Sequence, residues 1–485
     1  MNYFRNLVAA IFGRYYNPQR SGDPTRTWIS SPLQDSRKDW DKATREEQVR
    51  LIRHFEQTTG IVSRLADLFE CYTVGTGLMV HPSSSSADWN QAAKNSWSVW
   101  SQFPDIASRQ SFGTLQGLVA RSWFLDGEAF VLKTLGQSGR PRLQLFEGHR
   151  ICTPPSLQPR EGTGIIDGVE LDGNARPIGY WLWTERKMGE RSWEMLPADT
   201  VEHVFEPARP GQYRGIPFLA SVLRHLHDLD DLQAYEMRAA KDASAISHVI
   251  SNDAGELPPS LMQKLRSTTT TTNVAGQSVT ENRAEYVKNE LGGRSIVLRT
   301  GEKYEQHKSD RPSVAAREFW KDLKAEICTG AGIPFVVAYP ESMQGTVYRG
   351  ALDAADAFFR SRSLVMQDFV RRIWSYVMPY EINNTPALKQ RPADWFKVTI
   401  HPPRSVNVDV GYNSAAAISE LESGLRTYDE VYGPRGLDWR EQFDRLAEQQ
   451  AYARSKGLVL SIGDTSTAQQ MDDRQSQLDN AQRTT

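Results

Sequence analysis

Residues 209–250 read RPGQYRGIPFLASVLRHLHDLDDLQAYEMRAAKDASAISHVI, and the rest of the 485-residue chain is organised around them. Arg209-Pro210-Gly211-Gln212 and Arg214-Gly215-Ile216-Pro217 mark a turn, after which neither Gly nor Pro interrupts the run. Phe218, Val222, Leu226, Leu229, Leu232 and Tyr235 recur at three- and four-residue spacing, so they share one helical face. Pro217 suits the first helical turn, where its missing N–H would have had no partner. The pattern predicts one helix over residues 218–250, roughly 50 Å long at about 1.5 Å per residue. Its tail from Ala239 is rich in small residues and suits close approach of another helix. A rod of that length spans something or packs against copies of itself.

Upstream, residues 44–72 carry helical periodicity with a break at Gly60, and Trp89, Trp97 and Trp100 mark another helix. Leu115, Leu118, Val119 and Trp123 form a helical face that ends at Asp126-Gly127-Glu128, and residues 129–132 follow as a strand. Residues 143–146, 168–171, 180–183 and 201–205 alternate like strands, with hairpin-type turns at Asp167-Gly168 and Asp172-Gly173. Residues 51–217 therefore predict an α+β domain, helices first and a mostly antiparallel sheet after. The first 50 residues include a proline-bearing polar stretch and read as an arm. Its opening, MNYFRNLVAAIFGRYY, has a short, interrupted apolar centre with no clear cleavage site, which favours an amphipathic arm over a leader.

Downstream, residues 251–311 hold Pro258-Pro259, a Ser/Thr run and scattered glycines, a small irregular insertion between helices. A second helix follows Pro312, with Ser313 as its cap and Val314, Phe319, Trp320, Leu323 and Ile327 along it, and stops at Gly330. A third long helix covers 347–378, residues 398–400 form a strand, and 413–457 are helical with a break at 433–436. From Asp464 onward the chain is polar.

Composition bounds the function. Lys plus Arg total 57 against 59 Asp plus Glu, a net charge of −2, whereas tight grip on duplex phosphates calls for a basic protein. Cys71, Cys152 and Cys328 lie far apart with no CxxC pair, so they offer neither zinc spacing nor a disulfide framework and point to intracellular assembly. No apolar run reaches the roughly 18 residues a bilayer span needs, so no membrane partner is expected. Thirteen tryptophans agree with extensive interfaces.

The search for chemistry returns little. His225 and His227 lie two apart on a helix and cannot share a metal as an i, i+4 pair can. Glu202 and His203 in a strand read as structural, and the arginines at 349, 360, 362, 371 and 372 read as a face salt-bridged to Asp353, Asp356 and Asp368. Val74-Gly75-Thr76-Gly77 lacks the GxxxxGK[ST] pattern and reads as a turn, and HExxH, GxSxG and GxGxxG are missing. No catalytic residue, metal or cofactor is expected, and the chain reads as a structural assembly part. The alternative is a metal-dependent DNA-processing nuclease built on Asp228, Asp230 and Asp231.

Several pieces occur in an order that resembles one family. They are Val74-Gly75-Thr76-Gly77, Asp126-Gly127-Glu128, the stretch 167–172 with Pro177 and Tyr180, and the turn Arg209, Pro210, Gly211, Gln212, Arg214, Gly215, Pro217. Residues 298–302, Phe319 with Gly332-Ile333-Pro334, Gly424-Leu425 and residues 436–439 continue it. Together they resemble the portal proteins of tailed bacteriophages in the lambda-like branch. Gly345-Thr346-Val347-Tyr348-Arg349 and Val410 depart from the pattern of that family.

The resemblance implies a multi-subdomain α+β portal fold that assembles as a ring, typically of twelve copies, at one capsid vertex. It implies an N-terminal arm (1–50), a wing (51–217), a first stem helix (218–250), a clip (251–311) and a second stem helix (312–333). A tunnel-loop region (334–348), a long kinked helix with a wing strand (349–410), crown helices (411–463) and a polar tail (464–485) complete it. Candidate lumen residues are Asp228, Asp231, Glu236 and Asp242; candidate tunnel-loop residues are Pro340, Glu341, Ser342, Met343, Gln344 and Gly345. The implied partners are sibling copies, loosely held double-stranded DNA, the terminase large subunit, a head–tail adaptor, the major capsid protein and scaffold. The implied location is the virion, with assembly in the host cytoplasm. A channel must repel rather than trap the duplex, which near-neutrality and lumen acids would serve.

Overall fold

The computed structural model describes residues 35–36, 40–155, 157, 159, 162–185, 191–250, 266–272, 278–284, 287–288, 294–297, 314–339, 345–403, 410–435 and 437–458. Among the described residues the elements begin with α1 (Lys42–Thr58), α2 (Gly60–Thr73), β1 (Val80–Pro82), α3 (Ala87–Gln102) and α4 (Phe112–Asp126). Next come β2 (Glu128–Leu135), β3 (Pro141–Phe146), β4 (Gly164–Ile166), β5 (Val169–Leu171), β6 (Pro177–Glu185), β7 (Arg191–Pro197) and β8 (Val201–Phe205). Then follow α5 (Leu223–Ala245), β9 (Ile246–Ile250), β10 (Arg266–Thr272), β11 (Ser278–Ala284), β12 (Val287–Lys288), β13 (Arg294–Val297) and α6 (Val314–Gly330). The last described elements are α7 (Gly345–Asn384), β14 (Val398–Ile400), α8 (Val410–Glu422), α9 (Tyr428–Tyr432) and α10 (Trp439–Ser455). Two compact units result, one from Lys42–Leu65 with Ile216–Met343, the other chiefly from Ala66–Gly215 with the described residues after Gln344.

In the first unit the expected rod is shorter than its apolar spacing predicts. A 3-10 turn occupies Ala220–Val222, and α5 covers 23 residues, about 35 Å. It stops because β9 pairs in parallel with β13, so tertiary hydrogen bonding takes over a segment rich in β-branched residues. Val222, Leu226 and Leu229 are buried, and α5 packs against α1 and α6. Gly330 ends α6 where a Cβ would run into Val222 Cγ1, so α6 closely approaches the 3-10 turn that leads into α5. The Ser/Thr run of the expected irregular insertion is a strand, β10, in a hairpin register from Arg266↔Ala284 to Thr272↔Ser278. Ser313, the expected cap of α6, lies outside the described residues.

The second unit has three layers. One sheet runs β3-β2-β8, the other β4-β5-β6-β7, all antiparallel. Phe130 stands opposite Phe146 on one side and His203 on the other, so these three share a face. With Val201 that face meets Val169, Leu171, Tyr180, Leu182 and Leu196 of the second sheet to form a buried core. The opposite face, with Val131, Leu143 and Val204, turns to the helices. There Trp97 packs 4.7 Å from Trp100, 5.1 Å from Trp374 and 5.4 Å from Phe112, centroid to centroid. Trp100 Nε1 donates to Pro141 O at 2.9 Å, and Tyr376 Oη donates to Thr134 O at 2.6 Å, joining α3 and α7 to the sheet.

The hairpin turns fall where the sequence puts them, with one change of mechanism. Asp167 and Gly168 both take positive φ, 43° and 84°, between β4 and β5. Between β5 and β6 the Asp172 carboxylate accepts from the N–H groups of Asn174 and Arg176, and Ala175 rather than Gly173 takes positive φ. The sequence reading missed β4 and β7, whose short or polar-interrupted segments lack clean alternation. Helix α7 runs on through Pro379 to Asn384 instead of ending at Met378, since burial of Val377, Met378 and Ile382 outweighs the lost hydrogen bond.

Candidate functional site

Arg209-Pro210-Gly211-Gln212 is a tight turn. Gln212 N donates to Arg209 O at 3.2 Å, and Gly211 has φ 77°, as the third residue of a Pro-Gly type II turn must. Gln212 then staples the loop through its side chain. Its Oε1 accepts from Ala208 N at 2.9 Å and from Arg209 N at 3.3 Å, while Nε2 donates to Arg214 O at 2.8 Å. The Arg209 guanidinium lies 5.5 Å over the Trp40 ring. Pro210 and Gly211 are exposed, whereas Arg214, Gly215 and Pro217 are buried.

Arg214 is the centre of this site. Its Nε lies 3.0 Å from each Glu128 carboxylate oxygen, and its Nη2 is 2.5 Å from Oε1. Nη2 also donates to Gly148 O at 2.8 Å, and Nη1 donates to Ile151 O at 2.9 Å and to Asp167 O. The Asp167 carboxylate stands 3.2 Å from Nη1. Gly215 N donates to Glu128 Oε2 at 2.8 Å, and His203 Nε2 lies 3.1 Å from that oxygen. Gly215 is required here because a Cβ would collide with Gly127 O. One guanidinium thus joins β2, the turn after β3, the β4–β5 turn and the loop that follows β8. Burial alone would lower the Arg214 pKa, but the Glu128 and Asp167 carboxylates outweigh it and hold it above the ordinary value. The same carboxylate, behind burial itself, helps push the Tyr180 hydroxyl up to about 12.

Glu202 makes a second polar knot on the other sheet face. Lys133 Nζ donates to its Oε1 at 2.9 Å and Arg372 Nε to its Oε2 at 2.6 Å. On α7, Arg360 pairs with Asp356 and Arg371 with Asp368, as expected of a salt-bridged face, while Arg362 reaches Glu206. His203 stacks between Phe130, at 4.2 Å, and Phe205, at 4.3 Å. The structural reading of Glu202 and His203 holds, and Glu128 is the partner that sequence reasoning missed; its acid-after-Gly-turn context was the one available signal.

On α5, Asp228 and Asp231 are about half exposed, 51% and 52% by side chain. Each has a local partner one turn back: Arg224 lies 3.9 Å from Asp228, and His227 Nδ1 lies 3.1 Å from Asp231. Tyr235, 65% exposed, lies on the same side. Glu236 does not join them. At about 100° per residue it sits roughly 80° round from Asp228, toward Leu229, and is half-buried. The acidic stripe is therefore interleaved with the Arg224 guanidinium and the His227 imidazole rather than continuous. Among the described residues no group of three His, Cys, Asp or Glu side chains could hold a metal ion. The Asp242 side chain and Pro340, Glu341, Ser342, Met343 and Gln344 lie outside the described residues, and Gly345 opens α7. No described helix is long and apolar enough to cross a membrane.

Known proteins resemble this chain at the level of sequence and fold. The chain is 22% identical over 378 residues to the probable portal protein of Halomonas phage phiHAP-1, covering 74% of this chain and 70% of that one. It is 24% identical over 150 residues to portal protein B of Escherichia phage lambda, covering 28% and 27%. Among solved structures it is similar to a chain of the virion of a native gene transfer agent particle. That match has TM-score 0.43 and 15% identity, over 81% of this chain and 94% of that one. Residues 21–349 match the model of the phage portal proteins of the lambda family. That is well over half of the chain, which belongs to the lambda family of phage portal proteins.

Proposed function

We propose that copies of this chain close a ring, typically of twelve, around a channel for double-stranded DNA at one vertex of the capsid. The family match over residues 21–349 carries this reading, because it includes the turn, both stem helices and the segment between them. A closed ring needs head-to-tail contacts that repeat after a fixed rotation. Helices α5 and α6, packed against each other, are the candidate stem; β9 to β13 are the candidate clip, and the sandwich with its helices the candidate wing.

In this reading the ring serves as the dock for the terminase large subunit during packaging. Later it meets the head–tail adaptor, contacts the major capsid protein and scaffold, and conducts DNA at ejection. Asp228 and Asp231 are proposed to face the channel. The pairing of Asp228 with Arg224 gives a wall of mixed sign, which lets a duplex slide because few phosphates are neutralised at once. Glu236 is proposed instead as a stem packing residue. Cryo-electron microscopy of the purified full chain tests the proposal: rings with an axial opening wide enough for a duplex are expected, and a solid or monomeric particle overturns it.

A further inference from the structure

The helical segment 427–455 has little apolar anchorage. Among its described residues Ala453 alone is a buried apolar side chain, while Tyr428, Phe443 and Tyr452 remain exposed. Helices of this length draw most of their stability from tertiary packing, so something else must hold them. That something is polar and lies at the β1–β14 ribbon. His81 pairs with Thr399 in the register, which makes His401 its diagonal neighbour on the same face. The two imidazoles meet edge to face, 5.5 Å apart.

Each imidazole turns to a carboxylate of the helical segment. His401 Nε2 lies 3.0 Å from Asp429 Oδ2, and His81 Nδ1 lies 4.0 Å from Asp438 Oδ2. Asp438 also caps α10 through Arg440 N at 2.9 Å. From α3, Lys94 Nζ reaches Asp438 at 2.9 Å and Glu441 at 2.6 Å. Gly433 brings the backbone against the His401 ring so closely that a Cβ there would overlap it. The His81 and His401 side chains are only 13% and 10% exposed.

We propose that this contact is an acid-released latch: at neutral pH the His81–His401 pair seats residues 427–455 on the ribbon, and proton uptake at His81 frees them. A charged His81 would lose its water, face His401, and share Asp438 with a Lys94 that already occupies it. Burial, then His401, pushes the His81 pKa below its usual 6.5; Asp429 and Asp438 pull upward without overcoming this, and Lys94 adds to the lowering. The sign follows from linkage. An undocked His81 takes up its proton near 6.5 and the docked one only at lower pH. Docking is therefore at full strength above 6.5 and weakens as pH falls toward the docked value.

Spin labels on two exposed helix positions, Gln91→Cys on α3 and Arg445→Cys on α10 in a Cys71→Ser background, report the docking distance in the full chain. One narrow distance at about pH 7.5, with loss of most of that population at about pH 5, is expected. His81→Phe keeps a ring but cannot titrate, and it should hold the narrow distance at both pH values. If the phenylalanine variant misfolds, His81→Gln serves the same purpose. An unchanged distance in the parent chain at the lower pH, or equal broadening in both non-titrating variants, overturns the latch.

Discussion

Arg214 Nε stands 3.0 Å from both carboxylate oxygens of Glu128, with the two side chains only 6% and 0% exposed to water. A fully buried charge pair of this kind gains geometric definition more than net stability, because desolvation offsets much of the attraction. Its removal by halves is another matter. Every donor of the guanidinium is committed, so its loss breaks all of these contacts at once.

Arg214→Ala therefore leaves a buried carboxylate without its counter-charge and is expected to destabilise the second unit by about 3–5 kcal/mol. Arg214→Lys should recover little of this, since an ammonium cannot bridge Glu128, Gly148 O and Ile151 O together. Urea unfolding followed by tryptophan fluorescence measures both. The paired change Arg214→Met with Glu128→Met should cost less than Arg214→Ala alone; a larger cost would contradict the assignment.

Gly168→Ala is expected to destabilise by about 1–3 kcal/mol or more. The position has φ 84°, and a Cβ would come within 2.6 Å of Cys152 N. Gly139→Ala, whose φ of 72° lies in open space, isolates the backbone contribution and should cost less. Thermal melts of the two variants decide it.

Trp374→Ala should cost about 3–5 kcal/mol, because the indole is fully buried and anchors α7 against Trp97. Trp374→Phe should cost much less. Calorimetry of the variants tests this, and equal losses would show that packing volume is not what the site needs.

Asp438→Asn retains a good helix cap but removes the ion pair with Lys94, with an expected loss of about 1 kcal/mol. Burial raises the Asp438 carboxyl pKa, but the Lys94 hydrogen bond and that from Arg440 N outweigh it, so the value falls below the ordinary 3.8. A depressed carboxylate stabilises above its unfolded pKa and loses that contribution as pH falls through the folded one. An acid titration of the parent should thus show a step below 3.8 that the Asn variant lacks, separate from any step below 6.5 that arises at His81.

Under the ring reading, Asp228→Lys with Asp231→Lys places two cations on the proposed channel wall. Duplex DNA should then bind more tightly, with a salt slope steeper by roughly 0.9 for each phosphate contacted per copy. Filter binding across a salt series reads this, and an unchanged slope would move these residues off the wall.

Much of the architecture was legible in one dimension. Apolar spacing located α2, α4 and α6, Gly127 and Gly330 marked where two of them stop, and Asp167-Gly168 announced a hairpin, because these are local preferences of backbone and side chain. The ordered motifs around Arg209 to Pro217 were enough to suggest the family. Tertiary structure alone decided the rest. It cut the expected rod at Ala245 by giving Ile246 to Ile250 a parallel partner in β13, and it carried α7 through Pro379 because Ile382 could be buried. It also joined Arg214 to Glu128, 86 residues earlier in the chain, and His81 to His401. Such pairings have no sequence period: their energy comes from excluding water around charges that meet only once the chain has folded.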